Sequence, residues 1–154
     1  MRCRVSLESV DQPEAVALVG ELDAHLEALY PAESRHGLTL EALRASNVLF
    51  ALARDETGSA QGCGAVMFLP DFAELKRMYV RPALRGNGIG AAIVQFLERQ
   101  AADRGYVTIR LETGTQQLEA LRLYERLGYA RRGPFGNYRD DPLSIFMERR
   151  MEPR

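Results

Sequence analysis

The residues with the clearest chemical potential form a glycine-rich turn, Arg-Gly-Asn-Gly-Ile-Gly, at positions 85–90. Three glycines in five residues remove side chains from a turn that leads into a predicted helix, where backbone N–H groups lack intrahelical partners. The helix dipole adds partial positive charge at this end, and Arg85 adds a full charge at the rim. The turn therefore predicts a phosphate site, with a purely connecting turn as the alternative.

Two common phosphate-binding motifs do not match this turn. The spacing Gly86-x-Gly88-x-Gly90 misses the dinucleotide pattern G-x-G-x-x-G by one residue. A Gly-Lys pair followed by Ser or Thr is missing, which excludes a nucleoside-triphosphate loop. Basic residues cluster locally around the turn and suit a polyanionic small ligand; they are Lys76, Arg77, Arg81 and Arg85.

The turn and two flanking segments resemble those of the GNAT family of N-acetyltransferases. Residues 85–90 resemble the family signature Gln/Arg-x-x-Gly-x-Gly/Ala, and LKRMYVRPALRG resembles the strand and loop that lead into it. The segment EALRLYERLGYA resembles the family pattern Ala-x-x-x-Tyr-x-x-x-Gly-Phe/Tyr, with Ala120, Tyr124, Gly128 and Tyr129 in matching places. The resemblance extends over residues 49–150 and implies that the turn binds the pyrophosphate of acetyl-coenzyme A.

The resemblance also implies two catalytic residues. Tyr124 matches the tyrosine that lies near the coenzyme sulfur, where a phenol of pKa about 10 can protonate a departing thiolate. Glu74 lies eleven residues before Arg85, the spacing of the glutamate that is the general base in founding members. The alternatives are a Tyr124 that packs against the sheet, a Glu74 charge in solvent, and proton loss to ordered water.

Further coenzyme contacts follow from the same resemblance. The backbone of Met78 and Val80 is expected to hold the pantetheine arm, and an N–H near Met78 is expected to polarise the thioester carbonyl. Gln117 stands where the family often has Asn, so this amide has a different reach. The expected coenzyme-binding set is Met78, Val80, Arg85, Gly86, Asn87, Gly88, Ile89, Gly90, Gln117 and Tyr124, with acetyl-coenzyme A as co-substrate and no metal.

Two polar loops are candidates for contacting the acceptor. The first, at positions 30–37, carries Tyr30, Arg35 and His36, and the second, at 133–142, carries Tyr138 and Arg139. Arg139 could bind a carboxylate bidentately. These loops predict a small-molecule amine such as an amino acid, while solvated connectors are the alternative. Acetylation of a protein N-terminus or lysine, and a non-catalytic acyl-coenzyme A sensor, remain alternative functions.

Apolar periodicity predicts the elements that position these residues. Predicted strands cover positions 2–7, 47–53, 61–69, 72–80, 106–112 and 143–148, with one more from 129, and predicted helices cover 13–29, 39–43, 89–104 and 116–127. Asp11 is expected to cap the first helix. The strands that end near Val80 and Glu112 should be parallel neighbours that form a cleft. Period two places Glu74, Lys76 and Met78 on one face.

Composition limits the class of protein. The 154 residues predict a single N-acetyltransferase domain, 1–154, with a coenzyme-binding core at about 72–128. Its fold is expected to be α/β, with a mixed, twisted sheet of six or seven strands and about four helices. A net charge of −1 argues against nucleic-acid binding, and no apolar run is long enough for a membrane. Two distant cysteines and no secretory signal indicate a cytoplasmic protein, with a homodimer as one candidate assembly.

Overall fold

The computed structural model describes residues 3–153, so Arg2, which the sequence pattern places in the first strand, lies outside the described residues. Two short 3-10 helices, Ala32–Ser34 and Pro82–Leu84, lie in loops. None of the described helices has the length and apolarity that a bilayer crossing requires. Within residues 3–153 the chain forms, in order, β1 (Arg4–Leu7), α1 (Pro13–Leu29), α2 (Leu40–Leu43), β2 (Val48–Arg54), β3 (Ala60–Phe68), β4 (Ala73–Val80), α3 (Ile89–Asp103), β5 (Thr108–Gly114), α4 (Leu118–Arg126), β6 (Ala130–Arg132) and β7 (Ser144–Arg150).

All seven described strands join one mixed sheet in the order β1-β2-β3-β4-β5-β7-β6. β4 and β5 are parallel, and the remaining neighbours are antiparallel. The parallel pairing covers three residue pairs, from Ala73 opposite Ile109 to Leu75 opposite Leu111. Beyond them the two strands separate, which confirms the cleft expected between them. The α/β class and the predicted strand and helix numbers are also confirmed.

The helices cover both faces of the sheet because its central strands are apolar on both sides. In β2, Phe50 and Leu52 belong to the core beneath α1 and α2, whereas Ala51 and Ala53 belong to the core beneath α3 and α4. This alternation follows from the period of two along a strand. The result is a three-layer domain in which the β4–β5 cleft has helices on either side.

A β-bulge in β4 overturns one expectation about its faces. Arg77 has a φ of 57°, and the register of β4 against β3 shifts across Gly64. The extra residue reverses the alternation, so Met78 packs into the core beneath α3 instead of sharing a face with Glu74 and Lys76. A β-carbon at Gly64 would overlap the Met78 sulfur, so this close approach requires glycine.

Two terminal details also differ from the sequence prediction. Asp11 does not cap α1, because Gln12 is the N-cap residue and the Asp11 carboxylate accepts a hydrogen bond from Arg44 at 2.5 Å. Cys3, just before β1, and Val5 in β1 pack against the core as expected, but Leu7 at the end of this edge strand is 41% exposed. The Asp11 difference involves a contact between residues that are 33 positions apart in the chain.

Candidate active site

The glycine turn leaves the start of α3 open. Gly86 and Gly88 have φ values of +84° and +80°, and Gly88 is the N-cap of α3. Apart from the glycine and its chain neighbours, no heavy atom of the described residues lies within 4 Å of the place that a β-carbon would take at either position. The Ile89 side chain is buried, so only its backbone can face a ligand, and Gly90 packs closely against Leu123 of α4. The free N–H groups of this first helical turn therefore fit a phosphate group.

Side chains around the turn hold its shape. The Arg85 Nε donates a 2.9 Å hydrogen bond to the Val80 carbonyl, and its guanidinium lies 5.7 Å from the centre of the Tyr79 ring. The Asn87 amide donates to the Leu84 carbonyl at 3.0 Å. Arg85 and Asn87 thus brace the loop with side-chain bonds, while the charge of Arg85 stays beside the glycines.

A cavity of about 90 Å³ lies where β4 and β5 separate, between the sheet and the loop that follows α1. It extends from the backbone of the separated strands to the first turns of α4. Its polar and aromatic lining consists of Tyr30, Ser34, Arg35, His36, Lys76, Arg77, Glu112, Thr113, Gln117 and Tyr124. Met78 also lines it, so this cavity brings expected coenzyme and acceptor residues together.

Tyr124 lies on the buried face of α4 and lines the cavity. Its ring meets Tyr129 edge to face at a centroid distance of 5.8 Å. Burial raises the pKa of Tyr124 above its ordinary value of 10, and the nearby Glu112 charge raises it further. The phenol is therefore protonated at neutral pH, the state that a general acid requires.

Glu112 is the cavity residue that the sequence analysis missed as a proton carrier. It lies near the carboxyl end of β5 between two buried residues, and burial raises its pKa above 4.5. A raised carboxylate pKa makes a stronger base near neutral pH. Its signal was a lone acidic residue near the carboxyl end of a parallel strand, where ligands commonly bind.

Glu74 lies in a buried polar network beside the cavity. Its carboxylate, 3% exposed as a residue, accepts hydrogen bonds from the Tyr138 hydroxyl at 2.5 Å and the Lys76 ammonium at 3.2 Å. Lys76 also donates to the Tyr138 oxygen at 2.7 Å and to the His36 carbonyl at 3.0 Å. Burial and the Glu74 charge raise the pKa of Tyr138. Glu74 is thus buried inside the protein and does not line the cavity, whereas the next two residues of β4, Leu75 and Lys76, do.

The two predicted acceptor loops contact each other, and only the first of them contributes residues to the cavity lining. The Ser34 hydroxyl donates to the Asp141 carboxylate at 2.6 Å, and the His36 ring contacts Tyr138 edge to face at 5.2 Å. Tyr30 is buried, and its hydroxyl accepts the N–H of Gln116 at 2.9 Å. Arg139 is exposed at the surface of its loop, outside the cavity lining.

Gln117, the residue in place of the usual Asn, closes the turn between β5 and α4. Its side-chain oxygen accepts the Gly114 N–H at 2.9 Å. Gln117 also lines the cavity, so its amide group lies where a ligand arm could pass. The side-chain oxygen is already used to hold the turn, which leaves the amide nitrogen as the donor that it can offer.

Cysteine and metal-ligand residues have little part in this site. Cys3 and Cys63 are both free, and burial raises the pKa of the Cys63 thiol to about 12. A thiol with this pKa carries little thiolate at neutral pH and is a poor nucleophile. Among residues 3–153, no group of three or more His, Cys, Asp or Glu side chains gathers as metal ligands.

Comparisons with known proteins agree with this geometry. Residues 16–129 match the sequence model of the acetyltransferase (GNAT) family. A protein from Azospirillum brasilense named IAA acetyltransferase is 42% identical over 147 residues, covering 94% of this chain and 95% of its own. A crystal structure from Klebsiella pneumoniae, assigned as an acyl-CoA N-acyltransferase, superposes with a TM-score of 0.83 at 35% identity over 97% of this chain and 98% of that one.

A second similar structure contains the coenzyme. The PaiA N-acetyltransferase of Thermoplasma acidophilum, in complex with coenzyme A, has the same fold, with a TM-score of 0.74 at 18% identity. It covers 97% of this chain and 99% of its own. The sequence match over most of the chain and the shared fold lead to one conclusion: the chain belongs to the GNAT family of acetyltransferases.

Proposed function

We propose that this protein transfers an acetyl group from acetyl-coenzyme A directly to the primary amine of a small molecule. One observation carries the proposal: a single cavity at the β4–β5 opening is lined by both Tyr124 and Glu112. A proton donor and a proton acceptor in one cavity are what direct transfer between two bound substrates requires. The buried Cys63 is unsuited to a covalent intermediate, which favours the direct route.

The chain's own groups fit the coenzyme along the cleft. The backbone N–H groups of residues 86–90 would hold its diphosphate, and the backbone at Met78 and Val80 and the amide of Gln117 would hold its pantetheine arm. When bound, acetyl-coenzyme A supplies the activated acetyl thioester. The coenzyme A complex of the similar Thermoplasma protein supports this assignment.

Two cavity residues would carry the protons. The Glu112 carboxylate would accept a proton from the acceptor amine, directly or through a water molecule, because burial raises its basicity. The Tyr124 phenol would donate its proton to the departing thiolate. Glu74 is the second candidate base; it does not line the cavity itself, but it accepts a 3.2 Å hydrogen bond from the Lys76 ammonium, which does.

The small size of the cavity favours a small acceptor. The loop at 30–37 lines one side of it, and the Ser34 hydroxyl of this loop donates a hydrogen bond to Asp141 of the second loop. The His36 and Tyr138 rings meet beside this bond. A compact amine can fill a space of about 90 Å³, whereas a folded protein segment would have to displace the loop at 30–37. Tyr30, Arg35 and His36 would then contact the acceptor.

A panel of amines tests the proposal. Release of free thiol from acetyl-coenzyme A is measured with small amines, peptides with free N-termini and lysine peptides. Tyr124→Phe is expected to lower kcat about 10²- to 10⁴-fold and to retain coenzyme binding, because general acid catalysis contributes that much. The variants Glu112→Gln and Glu74→Gln distinguish the two candidate bases, because the pH profile of activity loses its acid limb when the residue that acts as the base is replaced.

Each outcome of the panel has a definite meaning. Turnover of peptides alone would replace the small-molecule acceptor with a protein acceptor. Tight coenzyme binding without thiol release from any amine would instead support a non-catalytic sensor of acyl-coenzyme A. An unchanged kcat in Tyr124→Phe would remove Tyr124 from the acid role.

A further inference from the structure

We infer that the acceptor amine carries a carboxylate and that Arg35 binds this carboxylate at the edge of the cavity. This inference rests on the proposed function and extends it to a substrate class. Arg35 lines the cavity, and its Nε atom is buried without a hydrogen-bond partner among the described residues. A buried, unsatisfied guanidinium N–H is costly, and a ligand oxygen would satisfy it.

The other cations at the cavity already have partners. The three N–H groups of the Lys76 ammonium match its three acceptors, the His36 carbonyl, the Tyr138 oxygen and the Glu74 carboxylate. Arg77 donates from Nε to the Leu38 carbonyl at 2.8 Å, and its Nη1 forms an ion pair with Asp23 of α1 at 2.7 Å, although that nitrogen lacks a partner in hydrogen-bond geometry among the described residues. Both side chains are therefore committed to holding the protein's own structure.

Arg35, by contrast, has only one weak ionic partner among the described residues. Its ion pair with Glu27 spans 3.5 Å, and the Glu27 side chain is 63% exposed. Exposed ion pairs of this kind contribute little to stability, so a ligand carboxylate can compete for the guanidinium. The planar fork of Arg also suits a bidentate bond to a carboxylate. Of the three cationic side chains compared at the cavity, Arg35 is thus the one whose guanidinium is available to bind a ligand carboxylate.

The position of Arg35 also gives the acceptor an orientation. Arg35 lines both the small cavity and a larger groove of about 590 Å³, which runs between α1 and residues 37–41. An amine placed at Glu112 and a carboxylate placed at Arg35 would pair both charges of an amino acid. The remainder of the molecule would extend into the groove, which the small cavity alone could not hold.

Matched pairs of amines test this inference. Turnover and calorimetric binding are measured for amino acids and for their primary amides, with coenzyme saturating, in wild type, Arg35→Gln and the control Arg139→Gln. Arg35→Gln is expected to raise KM and Kd for the acids about 10- to 100-fold, because a bond to a charged group is lost, and to leave those for the amides unchanged. Arg139→Gln, on the exposed loop, is expected to change neither.

The outcomes separate the carboxylate site from the acetyl transfer itself. Equal losses for acids and amides in Arg35→Gln would assign Arg35 a structural role and overturn the inference. Wild-type turnover of amides as efficient as that of acids would also overturn it, while acetyl transfer would stand. Binding of acids that depends on Arg35, without thiol release from any amine, would retain the carboxylate site and refute the proposed function.

Discussion

A Gly88→Ala substitution in the glycine turn should affect both protein stability and ligand binding, and the two effects can be measured separately. Gly88 has a φ of +80°, and apart from its chain neighbours no heavy atom of the described residues lies within 4 Å of the place that a β-carbon would take. Gly58, in the turn between β2 and β3, has a φ of +86° and equally open surroundings. Alanine at either position would carry the left-handed backbone penalty, about 1–2 kcal/mol. Gly88→Ala and Gly58→Ala should therefore lower the free energy of unfolding by similar amounts.

Coenzyme binding should distinguish the two variants. At Gly88 the added methyl group would stand at the N-terminus of α3, in the space that the diphosphate is proposed to occupy. Loss of one hydrogen bond to a charged group, about 1.5–3 kcal/mol, would weaken coenzyme A binding about 10- to 100-fold. Gly58→Ala should bind coenzyme A like wild type.

Calorimetric titration with coenzyme A and urea unfolding of the same samples give both quantities. Equal coenzyme affinity in Gly88→Ala and Gly58→Ala, with equal losses of stability, would refute the placement of the diphosphate at this turn.

Three further substitutions test the surroundings of the cavity. Gly114→Ala would place a β-carbon on the Tyr30 side chain and break the 2.9 Å hydrogen bond that the Gln116 N–H, just before α4, donates to the Tyr30 hydroxyl, so urea unfolding should show a loss of about 2–4 kcal/mol. Glu112→Gln should raise Tm at pH 8 but not at pH 4. Because the pKa of the Glu112 carboxyl is raised in the folded state, the folded protein loses stability as pH rises through that pKa and the buried carboxyl ionises, and Gln cannot ionise. Ser34→Ala should raise the pKa of Asp141 in an NMR titration, because the Ser34 hydroxyl holds it below its ordinary value.

Each of these three predictions has a contradicting result. A Gly114→Ala variant as stable as wild type would mean that Tyr30 can leave its place at no cost. A Glu112→Gln effect of the same size at pH 4 and pH 8 would show that the carboxylate is not destabilised by burial. An Asp141 pKa that is unchanged in Ser34→Ala would mean that the two loops are not joined in solution.

Local patterns were sufficient to predict most of the fold. The apolar stripe of α3, the glycines before it and the alternation in β2 each lie within a short stretch of sequence, so the elements and the cleft could be predicted. The bulge at Arg77 could not, because it depends on the register of β4 against Gly64 in the neighbouring strand. For the same reason the sequence did not reveal that Asp11 fails to cap α1: its carboxylate accepts a hydrogen bond from Arg44, 33 residues away.

The site was less predictable, because its polar groups come from distant parts of the chain. The bond between Glu74 and Tyr138 joins residues 64 positions apart, and no pattern in either segment indicates it. Arg35 and Arg139 are chemically equivalent in the sequence, and only the fold places one at the cavity and the other at the surface. Glu112 had a usable signal, its place near the carboxyl end of a parallel strand.

The most direct measurement is a titration of the ¹⁵N-labelled protein with coenzyme A, followed through backbone amide chemical shifts. The largest shifts are expected at residues 86–90, whose N–H groups would bind the diphosphate, with further shifts at Met78 and Val80 on β4. Saturable binding that leaves the amides of residues 86–90 unmoved would contradict the central claim that the start of α3 holds the coenzyme.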